Sequence, residues 1–217
     1  MNDPFSTLGV TDADAGSTTR QELLAAGRAL FARRGFDGTS VRAITDLAGV
    51  NLGAITYHFG TKRGLYSAVL EQGLEPLASQ IEAVAGSGGK ALDRTLRVVE
   101  TYFDHLAEHA DLPHLLLQEV AAGKPPPEVV RRILQRILTA IAGLQREGTA
   151  DGSIRPGHPI LTGLSVVSQP VYLTLVAPLL RAVGGLDLTE ADTRRLALEH
   201  ILTFVRAGLE PRGDYPT

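Results

Sequence analysis

Between Val50 and Tyr66 the chain reads VNLGAITYHFGTKRGLY. Gly53 and Ala54 are small enough to let a neighbour approach a helix backbone. Thr56, Tyr57 and His58 supply hydroxyl and imidazole groups, and Lys62 and Arg63 add positive charge just downstream. A surface helix that merely faces water carries Glu and Lys at such positions. The chemistry of this set is recognition: close approach, a few edge-reading groups, and cations suited to phosphate. Projected at about 100° per residue, Leu52, Ile55 and Phe59 share one side and define a buried face. Gly53, Ala54 and Tyr57 project away from it, with Thr56 and His58 on the shoulders.

Two further groups of residues could carry chemistry. His105 and His109 form an i, i+4 pair, with His114 and the carboxylates of Asp104, Glu108 and Asp111 nearby, the spacing of a helical metal site or an exposed helix end. A metal-dependent or enzymatic helical protein built on His105 and His109 is therefore the alternative reading. No nucleophile, base and orienter stand at recognisable spacing, and no phosphate-cradling glycine loop follows a strand, so an enzyme is not expected. Glu119 follows Leu115 and Leu116 on an apolar stripe. A carboxylate there must be paired or neutralised, either lining a ligand pocket or bonding an Arg of a neighbouring helix.

The elements that must position these groups read almost entirely as helix. The chain has 217 residues, 44% of them hydrophobic and 21% charged, ordinary values for a soluble globular protein. With no Cys, disulfides and thiolate metal sites are excluded. The opening MNDPFSTLGVTDADA lacks a basic segment followed by an apolar core, so a cytoplasmic protein with a disordered tail over residues 1–17 is expected. Thr18 or Thr19 can cap a first helix that ends at Gly35. Thr39 or Ser40 can cap a second over Val41–Ala48, Gly49 supplies a sharp turn, and Asn51 can cap a third running to Phe59. Longer helices are predicted over 61–85, 91–110, 113–122, 127–147, 159–183 and 190–207.

Charge divides along the chain. Arg20, Arg28, Arg33, Arg34, Arg42, Lys62 and Arg63 face only Glu22, Asp37 and Asp46 within residues 18–66, whereas the whole chain carries a formal net −3. A basic module on an acidic body fits a protein of which one end meets phosphate. Two short helices joined at Gly49, the second slim and lightly furnished, form a helix-turn-helix able to enter a DNA major groove.

Residues 19–66, TRQELLAAGRALFARRGFDGTSVRAITDLAGVNLGAITYHFGTKRGLY, resemble the amino-terminal pattern of the TetR/AcrR family of bacterial transcriptional regulators. They contain its A-x-x-L-F-x-x-x-G-F/Y-x-x-T-S element, its I-x-x-x-A-G-V turn, and its G-x-x-x-Y-H-F-x-x-K ending. The resemblance implies an all-α fold of about nine helices: a three-helix DNA-binding domain over 18–65, with its helix-turn-helix at 40–59, then a helical ligand-binding and dimerisation domain over 66–210 and a tail at 211–217. It places Ser40 and Arg42 at a DNA contact, Asn51, Leu52, Ala54, Thr56, Tyr57 and His58 on the recognition helix, and Lys62 on a phosphate. With Gly53 and the neighbouring Thr39, these form the expected DNA-binding set.

Such proteins are most often repressors that bind a palindromic operator in double-stranded DNA as homodimers. Residues 159–180 carry no charge, long enough to cross a bilayer. Ser165, Ser168, Gln169, Pro170 and Pro178 interrupt them, so we expect no membrane partner. The segment instead reads as a helix buried against its own domain on one side and a second subunit on the other, joined by Leu196, Ile201, Leu202 and Val205 in a dimer through the last two helices. Tyr102, Phe103, Glu119, Gln169 and Tyr172 would line a pocket for a small, mostly apolar effector. No cofactor and no metal are expected.

Overall fold

The computed structural model describes residues 12–121, 123 and 125–211. Among them nine α-helices and no strand occur: α1 (Asp12–Arg34), α2 (Val41–Ala48), α3 (Gly53–Phe59), α4 (Lys62–Ala85), α5 (Ala91–Glu108), α6 (Leu112–Ala121), α7 (Glu128–Ala150), α8 (Pro159–Val183) and α9 (Ala191–Leu209). The chain divides into two compact units, Met1–Val69 and Leu70–Thr217. α1 reaches back to Asp12, well before the predicted cap at Thr18, so only residues 1–11 of the expected amino-terminal tail lie outside the described residues, as do residues 212–217.

In the first unit, Leu23, Leu24, Leu30 and Phe31 of α1 are buried with Ile44 of α2, Ile55 of α3, and Leu65 and Tyr66 of α4. The Tyr66 ring meets Phe31 edge-on at 4.9 Å and Phe36 at 5.1 Å, anchoring the α1–α2 connection. Ser40 caps α2, its hydroxyl accepting from the Ala43 N–H at 3.1 Å. Gly49 ends α2 at φ 70°, a left-handed conformation glycine adopts without Cβ strain, and so turns the chain toward α3.

The second unit is a helical bundle in which α5 lies against α7, α8 and α9. Its core joins Leu92, Leu96, Val99 and Phe103 of α5 to Val166 of α8 and Ile201, Val205 and Leu209 of α9. Arg94 is nearly buried, and its guanidinium donates to the Ala85 carbonyl at the end of α4 and to the Glu147 carboxylate of α7. A buried cation is tolerated here because a helix C-terminus and an acid both face it. α8 runs unbroken through Pro170 and Pro178, over the 159–183 span predicted for it. At Gly163 it approaches α7 so closely that a Cβ would lie 2.9 Å from Ile141 Cγ2.

Arg136 of α7 clamps α4, donating to both carboxylate oxygens of Glu82 (2.9 and 2.6 Å) and to Glu75 (2.6 Å). Those hydrogen bonds hold the Glu82 carboxyl below its ordinary 4.5. A carboxyl with a lowered folded-state pKa contributes stability above its unfolded pKa and loses it as pH falls through the folded one. Arg136→Gln should therefore be less stable than wild type at neutral pH, and the gap should close as pH falls below about 4. Urea midpoints across pH check this; a gap that is independent of pH would show that the clamp acts by packing alone.

Candidate nucleic-acid interface and effector cleft

α3 is only seven residues long, and it is held by its neighbours rather than by its own caps. Leu52 precedes it in αR geometry with no side-chain cap, so Asn51 does not cap α3 as the sequence suggested. Helices α1 and α2 both pack on α3, and Ile55 is buried at 1% exposure. Tyr57 stands out at 84%, with Asn51, Gly53 and Thr56 exposed beside it and His58 half-buried. Arg42 on α2 is 86% exposed, with its guanidinium 4.0 Å from Asp46.

Four of the expected DNA-facing residues sit differently from the sequence reading. Ala54 is buried at 8% and Leu52 exposed at 59%, the reverse of the helical projection. The regular helix begins only at Gly53, so Leu52 does not follow its periodicity, and the small Ala54 fits against the flanking helices. Thr39 is 1% exposed, and its hydroxyl donates to the Gly35 carbonyl at 2.8 Å, closing the α1–α2 connection. Lys62, implied on a phosphate, donates from Nζ to the Phe36 and Thr39 carbonyls, both at 2.8 Å, and lies 4.2 Å from the Phe36 ring centroid. Its charge is therefore used to hold the segment that leads into α2.

This assignment separates two lysine roles by experiment. A phosphate-binding cation contributes about one unit to the salt slope of DNA binding, whereas an internal staple contributes to stability. Lys62→Met should lose about 1–3 kcal/mol of stability by removing two charge-assisted hydrogen bonds to backbone carbonyls, while its salt slope, measured well below the unfolding midpoint, stays that of wild type. Arg42→Ala should do the opposite. A lowered slope in Lys62→Met would return that residue to the phosphate-binding set.

In the second unit, a cleft of about 580 Å³ opens among α5, α6, α8 and the α8–α9 connection. Phe103, Leu106 and Ala107 of α5, with Ala110 just beyond its end, form one wall, facing Ala177 and Pro178 of α8. His114, Arg181, Asp187 and Arg194 bring polar groups to the same cleft. Of the residues expected at an effector site, Phe103 lies here; Gln169 lines a separate hollow between α8 and α9, and Tyr172 is 67% exposed on α8. Tyr102 and Glu119 are buried elsewhere, and burial pushes the Tyr102 hydroxyl up to about 12. Arg181, Asp187 and Arg194 were missed. The available signal was Arg181, alone on an otherwise uncharged helix above a stripe of small residues.

The histidine pair does not assemble a ligand set. His105 is 6% exposed with Nε2 2.8 Å from the Gly73 carbonyl, and its ring packs on His109. Among the described residues no group of three or more His, Asp or Glu side chains is placed to hold a metal ion.

Residues 23–69, which span this helix-turn-helix, match the family described as bacterial regulatory proteins, tetR family. This stretch carries the amino-terminal domain of that family. It is 27% identical over 143 residues to the transcriptional repressor KstR2 of Mycolicibacterium smegmatis, covering 64% of this chain and 69% of that one. It is 35% identical over 81 residues to the repressor AcnR of Corynebacterium glutamicum, covering 37% and 42%. A tetR-family regulatory protein from Rhodococcus RHA1 shares the fold at TM-score 0.73 and 19% identity, over 90% of this chain and 98% of that one. The matched domain and these relatives support a DNA-binding transcriptional regulator.

Proposed function

We propose that this regulator is a cytoplasmic homodimeric repressor that binds a palindromic operator and releases it when a small, largely apolar effector enters the second unit. The observation that carries the DNA-binding part is the exposure of Tyr57 on a helix otherwise fixed through Ala54 and Ile55, with Arg42 exposed on the preceding helix. Asn51, Gly53, Thr56 and His58 complete the proposed reading face, and Ser40, exposed at the cap of α2, lies beside Arg42 in sequence.

Dimerisation is supported by two helices that are apolar on both sides. α8 buries Gly163, Val166 and Pro170 yet exposes Leu161, Leu164, Tyr172, Leu179 and Val183 at helical spacing. α9 buries Ile201, Val205 and Leu209 yet exposes Leu196 and Phe204, eight residues apart. An outward stripe of this size marks an interface. α8 also meets the length and hydropathy of a membrane span. It packs, however, on α7, which carries Arg131, Arg132 and Arg136, and beside α9 with Asp192, Arg194 and Arg195. Those charges favour a protein partner over lipid.

Two recognition helices related by a two-fold axis read half-sites about one helical turn, or a multiple of it, apart. The test is stoichiometry: sedimentation of the protein with a duplex that it selects should give two chains per inverted repeat. One chain per duplex, with undiminished affinity for an isolated half-site, would refute the dimeric reading.

A further inference from the structure

We infer that the α5/α8 cleft takes an amphipathic anion, an elongated apolar molecule ending in a carboxylate or phosphate, whose acidic head replaces Asp187 at Arg181. This rests on the reading of the second unit as effector-binding and names the ligand chemistry. The wall made by Phe103, Leu106, Ala107 and Ala110 offers no charge and suits an alkyl or ring body. The charged side chains at the cleft are Arg181, Arg194 and a single acid, Asp187, with His114 beside them. Arginine is suited to planar oxyanions because its guanidinium donates in a fixed fork.

The protein already fills that acceptor position with its own carboxylate. Asp187 lies 3.0 Å from Arg181 Nε, while its other oxygen accepts from the Thr189 N–H (3.0 Å) and hydroxyl (2.6 Å). These contacts, Thr189 foremost, lower the pKa of the Asp187 carboxyl from its ordinary value. Asp187 belongs to the connection between α8 and α9, whose outward stripes form the proposed dimer face. A ligand carboxylate that displaces Asp187 from Arg181 thereby removes a tie between this connection and α8. Binding of the head and rearrangement of the dimer face are thus linked through one ion pair.

The test uses the full chain with dodecanoate and dodecyl phosphate as probes, and methyl dodecanoate and dodecyltrimethylammonium as head-group controls. Affinities are read by displacement of a dansyl-labelled undecanoate. Dodecanoate or dodecyl phosphate should bind at least tenfold more tightly than the ester and the ammonium compound, and whichever acid binds better identifies the head. Arg194→Ala and Arg181→Ala should each weaken that acid by tenfold or more. Asp187→Asn removes the internal competitor and should tighten it severalfold, a gain that a folding defect cannot mimic. Equal affinity for acid and ester, tighter binding of the ammonium compound, or unchanged or weaker binding of the acid by Asp187→Asn would overturn the proposal. Operator binding is measured separately. A chain that binds the acid as described yet keeps its operator would contradict effector release and leave the ligand assignment standing.

Discussion

Phe204→Glu should convert the protein from dimer to monomer and lower its affinity for a full operator by two orders of magnitude or more. Phe204 is 61% exposed on α9, at the edge of the face that buries Ile201, Val205 and Leu209. A ring in that position gains little in an isolated chain and a great deal in a two-fold interface, where the same residue meets the partner's equivalent stripe. A carboxylate there, twice per dimer, would be desolvated without a counter-ion, a penalty of several kcal/mol. Loss of the dimer removes the effective concentration that makes the second half-site contact nearly free of association entropy. Sedimentation reads the first effect and fluorescence anisotropy with a labelled duplex the second. Because Phe204 faces outward, the thermal unfolding of the monomer should still be cooperative. A variant that remains dimeric would place the interface elsewhere.

Gly64→Ala should destabilise the first unit by about 3 kcal/mol or more, at the upper end of what overpacking costs. A Cβ at Gly64 would lie 2.1 Å from the Phe59 carbonyl oxygen and 3.2 Å from its carbon, so the obstacle is backbone and cannot rotate away. Relief requires the end of α3 to move relative to the start of α4, which also shifts Tyr57. Operator affinity should therefore fall together with stability. Gly143→Ala provides the contrast: a Cβ there meets nothing within 4 Å, and the change should stabilise α7 by about 0.5–1 kcal/mol. Urea unfolding followed by far-UV circular dichroism measures both. Equal stability of the two variants would contradict the close approach at Gly64.

The elements were legible where local chemistry specifies them. Ser40 and Gly49 bracket α2 at Val41–Ala48, and uncharged residues between breaks fix α8 at Pro159–Val183. The faces of α3 were less legible because seven residues clasped between two helices are not a one-sided amphipathic helix. Ala54 is buried where the projection exposed it, while Tyr57 is exposed as projected. The inward turn of Lys62 could not be read at all, since it depends on two carbonyls where α1 passes into α2, more than twenty residues upstream. The cleft is likewise a product of the fold: Phe103, Pro178 and Arg194 come from three distant segments. The sequence indicated an apolar site that included Phe103, but not which proline and arginine would meet it.

The outward face of α3, with Arg42 of α2, is proposed as the part of the molecule that reads DNA. Selection of bound duplexes from a random pool, run in parallel on wild type, Arg42→Ala and Tyr57→Ala, tests it directly. Wild type should enrich an inverted repeat, and each variant should lose that enrichment while keeping the wild-type unfolding midpoint within about 0.5 kcal/mol, as expected of exposed side chains. Enrichment of the same repeat by both variants would contradict it.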